Sequence, residues 1–320
     1  MTVTATPTVE PLDGMLVVDK PEGPTSHDVV ARVRRLTGRR RVGHTGTLDP
    51  MATGVLPIVL GRATRLARFY SAAPKTYLAD TRLGSATTTY DRLGTPLDPA
   101  PGGLGAHGID RAALERALGP FQGTFEQTPP AFSAKKVGGR RAHALARRDR
   151  PVALAPVRVS VEDVVIEALA GDLVRLRLRT SAGFYVRSLA HDLGTALGCG
   201  AHLAALRRLA SGDLTIERAT RLEDLERRPE LVRQALIGLE SLVPWMAAVH
   251  LGDEGVRRVS HGLAARPIDM RSPASGRLPE PVGDRAGEGT RLLGPDGRLV
   301  AIAASAPDQT GALHPSVVLV

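Results

Sequence analysis

Residues 43–50 carry the strongest local signal for chemistry, and they read Gly-His-Thr-Gly-Thr-Leu-Asp-Pro. The two glycines let the backbone approach a ligand closely, and the proline that follows Asp49 disfavours helix at that residue. The segment therefore presents a carboxylate in an extended pose near His44. It lacks the Lys-Ser/Thr ending of a phosphate-binding P-loop. From spacing alone, the simpler interpretation is a turn in which the Asp49 side chain bonds its own backbone.

Two further residues could take part in chemistry. Arg187 falls in the first turn of a predicted helix, where the helix dipole disfavours a cation by roughly 0.3–1 kcal/mol. A carboxylate or phosphate partner would explain that position, and the alternative is a surface arginine without a role.

Tyr77 is one of four tyrosines in a chain with 3% aromatic residues. So few rings disfavour a protein that stacks many bases, whereas a pocket for one extruded base needs one or two; a single tyrosine is more often a core residue.

The charge balance indicates a polyanionic partner. The 320 residues include 42 Lys and Arg against 33 Asp and Glu, a formal net charge of +9, and nucleic acid is the polyanion that such a chain most often binds. Basic clusters lie at 32–41, 135–141 and 207–208. The absence of a long apolar run and of a secretory signal predicts a cytoplasmic protein that does not bind membranes. One cysteine, Cys199, excludes an intrachain disulfide and disfavours a zinc site, so we expect no metal.

Periodicity predicts the elements around these residues. Leu16–Val18 and Val55–Leu60 read as strands, and a capping box of Thr25 and Asp28 begins a helix that ends at Gly38. Residues 94–108 read as a loop, and a short helix capped at residue 110 follows. Residues 174–179 alternate apolar residues with arginines, which predicts a half-buried strand. Its arginine face fits phosphate contact and a solvated surface equally well. A helix follows residue 183 and ends near 198.

The domain organisation follows from changes in these patterns. Residues 1–11 are rich in Thr and Pro and read as a disordered lead-in. Residues 12–247 form the predicted catalytic domain, which ends with a helical stretch at about 221–242. Residues 248–320 contain short apolar runs split by turns, with one turn at 295–297, and predict a small β-rich domain. Irregular alternation of strands and helices favours an α+β fold over a doubly wound one.

Read together, the motifs resemble the TruB family of tRNA pseudouridine synthases, which isomerise the uridine at position 55 in the T-loop. The resemblance runs from about residue 12 to 245. The matching segments are Asp19–Ser26, Gly43–Pro57, Gly61–Thr64, Lys75–Tyr77, Gln127–Ala134, Gly183–Arg187 and Gly198–Arg208. It implies a mixed-sheet pseudouridine synthase core, and the tail loosely resembles the small PUA-like RNA-binding domain that ends many members.

The resemblance also implies roles for the candidate residues. Asp49 would be the catalytic carboxylate, acting as a nucleophile or by abstracting a sugar proton, and Arg187 would pair with it. Tyr77 would stack on the flipped-out uridine and serve as the acid or base for the sugar or C5 proton. Tyr185 would line the pocket wall, and His44 would fill the place in the T-loop stack that the flipped nucleotide vacates. Leu206 would provide a backbone contact or an apolar wall, and Lys20 would support the catalytic loop, residues 43–50.

The same resemblance implies an enzyme without cofactor that binds the T-stem-loop of tRNA, acts as a monomer without an obligate protein partner, and assists tRNA folding as a second role. Two alternatives stay open: a tRNA-binding or folding protein without turnover, and a pseudouridine synthase that works in a guide-RNA complex. Thr88 and His143 depart from the family pattern, although Asp91 remains. Both departures lie outside the catalytic motifs, so we expect them to affect docking and not the reaction.

Overall fold

The structure is a computed structural model that describes residues 12–97, 108–133, 136–137, 140–141, 154–271, 289–305 and 311–320. Within these ranges the chain forms two mixed β-sheets and a two-stranded ribbon with helices beside them. This confirms the α+β class. The predicted lead-in, most of the predicted 94–108 loop and His143 lie outside the described residues.

The strands divide between a large sheet, a ribbon and a smaller C-terminal sheet. Strands of the large sheet are β1 (Gly14–Lys20), β2 (Val42–His44), β3 (Thr53–Leu60), β4 (Lys75–Leu83), β5 (Gly123–Gln127), β8 (Val157–Ala170), β9 (Leu173–Thr180), β10 (Ala201–Ser211), β11 (Leu214–Thr215), β12 (Thr220–Arg221) and β13 (Ile237–Gly238). The ribbon is β6 (Lys136–Val137) with β7 (Arg140–Arg141). The smaller sheet contains β14 (Ala247–Leu251), β15 (Met270–Arg271), β16 (Thr290–Leu293), β17 (Leu299–Ser305) and β18 (Leu313–Val318).

The described α-helices are α1 (Ser26–Thr37), α2 (Ala67–Ser71), α3 (Arg111–Leu118), α4 (Val186–Ala196), α5 (Leu222–Arg227), α6 (Leu231–Gln234) and α7 (Asp253–Ser260). Within the described ranges, none of them is long and apolar enough to cross a membrane. The first helix begins as predicted: the Thr25 side chain accepts the backbone N–H of Asp28, whose carboxylate accepts the N–H of Thr25. It ends at Gly38, which takes the left-handed conformation with φ 64°.

The middle of the large sheet places four strands side by side in the order β1-β3-β10-β4. Strand β3 is antiparallel to β1 and parallel to β10, which is antiparallel to β4. These strands or the loops at their ends carry Lys20, Asp49, Tyr77 and Leu206. The topology therefore gathers candidate residues that lie far apart in the chain.

Strand β9 alternates as predicted, with buried Val174, Leu176 and Leu178 on one face. The arginines of the opposite face are each paired with a carboxylate of a neighbouring strand. The pairs are Arg175–Asp80 at 2.7 Å, Arg177–Glu167 at 2.7 Å and Arg179–Glu162. All three carboxylates lie on the same sheet, which supports the solvated-surface interpretation of this face.

The predicted helical stretch at 221–242 is two short helices, α5 and α6, of six and four residues, followed by β13. Pro229 lies between the helices, and Gly238 lies in β13. Proline cannot continue a helix because it lacks the backbone N–H and clashes with the preceding turn. The predicted helical stretch is therefore confirmed only up to Gln234, and it is wrong for the strand that follows.

The smaller sheet begins at Ala247, and residues 295–297 form the predicted turn between β16 and β17. It packs against the large sheet, since one buried cluster includes Met15 and Val59 from the large sheet with Ile302 and Leu319 from the C-terminal region. Polar contacts reinforce this junction. Arg62 donates from Nη1 to the Leu319 carbonyl at 2.8 Å.

Candidate active site

The turn that carries Asp49 is held from below by the first helix. The backbone N–H of Ala52 donates to the Asp49 carbonyl at 3.0 Å, which closes the turn at Pro50. The buried Ser26 hydroxyl accepts from the Leu48 N–H at 2.8 Å and donates to the Leu48 carbonyl at 3.0 Å. Both hydrogen bonds fix the backbone next to Asp49. Its side chain, 34% exposed, faces partly into solvent.

Arg187 binds this carboxylate through two nitrogens. Its Nε lies 2.8 Å from Asp49 Oδ2, and its Nη2 donates to Oδ1 at 3.2 Å. The remaining donors bind backbone carbonyls: Nη1 donates to Thr89 at 3.1 Å and Nη2 to Phe132 at 3.0 Å. Charged hydrogen bonds contribute about 1.5–3 kcal/mol each, which exceeds the helix-dipole penalty at this position. The Asp49 carboxylate therefore binds the Arg187 guanidinium. The simpler interpretation, a turn in which the Asp49 side chain bonds its own backbone, was wrong.

A second carboxylate, Asp91, also lies near the Arg187 Nε. Asp91 Oδ2 is 3.7 Å from Arg187 Nε, and its side chain is 7% exposed. Its Oδ1 accepts from the Thr89 hydroxyl at 2.7 Å and the Leu93 N–H at 3.0 Å. The loop around Thr88 therefore borders the site directly. No local sequence pattern indicates that this loop reaches Arg187, so Asp91 could not be assigned a role from the sequence.

Tyr185 precedes α4 and lies next to the ion pair. Its backbone N–H donates to Gln127 Oε1 at 2.8 Å, and its carbonyl accepts from Gln127 Nε2 at 3.0 Å. Burial raises the pKa of the Tyr185 hydroxyl, although its hydrogen bond with Ser133 and the charge of Arg187 act in the opposite direction. The hydroxyl is therefore neutral, and it lies within range of the Asp49 and Arg187 charges.

Tyr77 lies in β4, where it faces Arg208 of β10 and Leu178 of β9. Its side chain is 8% exposed and belongs to the main core cluster. Leu206, also 8% exposed, lies two residues before Arg208, and its carbonyl accepts from the Thr53 hydroxyl at 3.5 Å. Both residues thus lie in the strands next to the Asp49 loop.

Lys20 is fully buried at the end of β1, below the same turn. Its Nζ donates to the carbonyls of Ala52 at 2.6 Å, Pro21 at 2.9 Å and Pro50 at 3.3 Å. Burial lowers the pKa of Lys20 to about 8, against the opposing effect of the Asp49 charge. The ammonium therefore anchors the carbonyls that follow Asp49 and places a positive charge near it.

His44 ends β2 at the start of the loop. Burial, with the charges of His27 and Arg208, lowers its pKa to about 4, so the ring is neutral at pH 7. Its Nδ1 accepts from the Gly46 N–H at 3.3 Å, which leaves the proton of the neutral ring on Nε2. His27 meets the ring edge to face, with centroids 5.4 Å apart.

The basic cluster predicted at 207–208 does not form a phosphate-binding surface. Arg208 is 1% exposed, and its guanidinium donates to Val55, Gly46 and Thr47 carbonyls. Arg207 binds Asp19 through two nitrogens, at 2.8 and 3.1 Å. The prediction was wrong for Arg208 because its alternation on β10 turns it toward the core.

The basic face of α1 is more open to a polyanion. Arg39 pairs with Asp13 at 2.9 Å, and Arg32 lies 3.5 Å from Glu226. The exposed residues Arg35, Arg40 and Arg41 make no ion pair with any described residue. Within the described part of the chain no three His, Cys, Asp or Glu side chains are grouped to hold a metal ion.

The chain is similar to known proteins over most of its length. Residues 34–186 match the TruB family pseudouridylate synthase N-terminal domain, and residues 187–244 match the tRNA pseudouridylate synthase B C-terminal domain. The tRNA pseudouridine synthase B of Solibacter usitatus (strain Ellin6076) is 46% identical over 267 residues, which are 82% of this chain and 90% of that protein. That of Thermobifida fusca (strain YX) is 41% identical over 314 residues, 96% of this chain and 98% of the relative. The chain belongs to the TruB family of pseudouridylate synthases, which confirms the resemblance seen in the motifs.

Solved structures support the same fold. A chain of the crystal structure of a Cbf5-Nop10-Gar1 complex is 27% identical, with a TM-score of 0.70 over 97% of this chain and 85% of that one. A chain of an H/ACA RNP bound to a substrate RNA containing 2′-deoxyuridine has a TM-score of 0.69 at 24% identity, covering 97% of this chain and 86% of its own. The mixed α+β core is therefore the fold of the pseudouridine synthases.

Proposed function

We propose that this protein isomerises the uridine at position 55 in the T-loop of tRNA to pseudouridine, with Asp49 as the catalytic carboxylate. The observation that carries the proposal is the ion pair of a half-exposed Asp49 with a 6% exposed Arg187, on a turn held by Lys20 and Ser26. Two nitrogens of the buried guanidinium hold the Asp49 carboxylate in place, and its partly exposed side chain stays open to a substrate.

The reaction breaks the N1–C1′ bond of uridine and forms a C5–C1′ bond. One proton leaves C5 and one joins N1, so the product is an isomer and the balance needs no oxidant, reductant or added atom. An ionised carboxylate is suited to either of the two roles that the family resemblance implies, which are attack as a nucleophile and removal of a sugar proton. The Tyr77 hydroxyl acts as the acid or base that gives a proton to the substrate or takes one from it.

The uridine must leave its stack to reach Asp49, which costs a few kcal/mol. Stacking on one aromatic ring returns about 1–3 kcal/mol, and we assign that contact to Tyr77 with Tyr185 as a neighbouring wall. Neutral His44 takes the vacated place in the T-loop, where its flat ring and Nε2–H can stack and donate. Leu206 forms the apolar side of the pocket. The arginines that follow α1 attract the phosphates.

We further propose that the protein works in the cytoplasm as a monomer, without a guide RNA or protein partner, and assists tRNA folding as it binds. The two relatives described above, which match over most of the chain, are named tRNA pseudouridine synthase B, and this favours tRNA over a guided substrate.

The test is tritium release by the purified protein alone, using tRNA transcripts with C5-tritiated uridine. We expect release from a transcript with uridine at position 55 and none above background when that position is cytidine. Binding without release would support the non-catalytic alternative. Release that depends on an added guide RNA would support the guided one.

A further inference from the structure

Arg208 is a buried cation below the catalytic loop, and among the described residues it has no carboxylate partner. Its Nε donates to the Val55 carbonyl at 2.6 Å, Nη2 to Gly46 at 3.0 Å and Nη1 to Thr47 at 3.5 Å. Burial lowers the pKa of Arg208, but a guanidinium starts so high that it stays charged. Burying a charge costs several kcal/mol unless its surroundings compensate. An apolar residue would avoid that cost, so the charge itself needs an explanation.

The group that faces this charge is Tyr77. The two residues are opposite each other in the antiparallel pair of β4 and β10, which places their side chains on the same side of the sheet with Cβ atoms about 4.5–5.5 Å apart. The Tyr77 hydroxyl lies within interaction range of the Arg208 guanidinium. A guanidinium has donors and no acceptor. In a hydrogen bond between the two, the Tyr77 oxygen therefore accepts, which leaves its own proton for another partner.

We propose that Arg208 is a positioning residue that turns the Tyr77 O–H toward the bound uridine and stabilises the phenolate that forms when this proton is transferred. This inference rests on the proposed function of Tyr77. Tyr77 gives its proton to N1 as the N1–C1′ bond breaks and its electron pair moves to N1. After the C5–C1′ bond has formed, the phenolate takes the C5 proton, so the tyrosine ends as it began.

The same guanidinium connects the strand of Tyr77, the proposed acid, with the loop that carries the Asp49 carboxylate. It binds the Gly46 and Thr47 carbonyls, which precede Asp49 in the loop, and a Cβ added to Gly46 would lie 3.4 Å from Nη1. One rigid, planar group thus sets the distance between the strand that holds Tyr77 and the loop that holds Asp49. A displacement of about 1 Å in such an arrangement costs roughly 10²-fold in rate.

The kinetic test compares Arg208→Met and Arg208→Lys with Arg82→Met. Arg82 lies on the same strand as Tyr77 but forms a surface ion pair with Asp172, so it serves as the control. We expect Arg208→Met to lower kcat about 10²-fold while KM changes less than threefold, with a smaller loss in Arg208→Lys. In a Tyr77→Phe background the Arg208 substitutions should lower kcat less than they do in the wild type, because only the contacts with the Gly46 and Thr47 carbonyls remain to be lost. Equal losses with and without Tyr77 would overturn the proposal.

A spectroscopic test needs no turnover and no substitution at Arg208. The tyrosine Fermi doublet in the Raman spectrum reports whether a phenol oxygen accepts or only donates a hydrogen bond, and subtracting the Tyr77→Phe spectrum from that of the wild type isolates Tyr77. We expect the accepting form. A doublet typical of a donor only would overturn the Arg208–Tyr77 arrangement even in an active enzyme. The accepting form in a protein that releases no tritium would instead disprove the proposed function and keep the arrangement.

Discussion

At the scale of single residues, the site depends on one guanidinium shared between two acids. Arg187 is held by Asp49, by Asp91 and by two backbone carbonyls, so its position is set from several elements at once. The buried Asp91 carboxylate lies 3.7 Å from the Arg187 Nε. We expect its charge to help hold Arg187 in place while the Asp49 carboxylate reacts.

We therefore predict that Asp91→Asn lowers kcat about tenfold, equivalent to about 1.4 kcal/mol, with little change in tRNA affinity. The amide keeps the size of the side chain but removes the charge that faces Arg187. Single-turnover rates and filter binding separate the two quantities. The control is Asp80→Asn, which breaks an exposed pair with Arg175. An Asp91 variant as fast as the control would show that Arg187 needs no second acid.

Lys20 gives a pH-dependent prediction. Because burial lowers its pKa from 10.5 to about 8, the unfolded chain binds this proton more tightly than the folded one. The contribution of Lys20 to the free energy of unfolding therefore rises as pH increases from about 8 to about 10.5. Urea unfolding of the wild type and of Lys20→Met across this range measures it. We expect the difference between the two proteins to change with pH, and parallel curves would contradict the assignment.

At the scale of elements, α1 positions the loop at residues 43–50 through the Ser26 side chain. Ser26 makes two hydrogen bonds with the Leu48 backbone and is buried. The capping box at Thr25 fixes where the helix begins, and this decides where Ser26 meets the loop. The helix is thus part of the site although it provides no reacting group.

Ser26→Ala is expected to lower the free energy of unfolding by about 1–3 kcal/mol, because it leaves buried polar groups of Leu48 without partners. We also expect kcat to fall by about tenfold or more, since the loop beside Asp49 loses its anchor. Asp110→Ala is the matched control: it removes the N-cap of α3, which accepts the Ala113 N–H at 2.8 Å, at a similar cost of about 1 kcal/mol. Equal stability losses with equal kcat would contradict the role of Ser26.

The elements also show what local patterns can and cannot predict. The capping box, the alternation of β9 and the start of α4 depend on neighbouring residues, so the sequence predicts them well. The partner of Asp49 is different, because Arg187 is 138 residues away and only the family motifs linked the two. Arg208 was predicted to belong to a basic cluster with Arg207, whereas the structure buries it. Nothing local to Asp91 indicates that its loop crosses the sheet to the guanidinium.

At the scale of the whole molecule, the smaller C-terminal sheet packs against the large sheet through buried side chains. Buried residues of both sheets belong to one cluster, and Arg62 links Asp13 with the Leu319 carbonyl. The single tryptophan, Trp245, packs against Tyr70 at this junction, with ring centroids 5.2 Å apart. The Tyr70 hydroxyl also accepts the Val243 N–H at 2.8 Å.

We predict that the two sheets unfold together. Tryptophan fluorescence reports the junction, whereas far-ultraviolet circular dichroism reports all strands and helices. Coincident denaturation curves are expected, and Arg62→Met should shift both to lower urea concentration by the same amount. A fluorescence change that precedes loss of circular dichroism would show that the C-terminal sheet separates first.

Asp49→Asn shows whether the Asp49 carboxylate reacts with the flipped uridine. The amide has nearly the same shape but is neither a comparable nucleophile nor a base. In single-turnover tritium release from a T-stem-loop, we expect no product above background while the dissociation constant stays within a few-fold of the wild type. Release at a rate near that of the wild type would contradict the account.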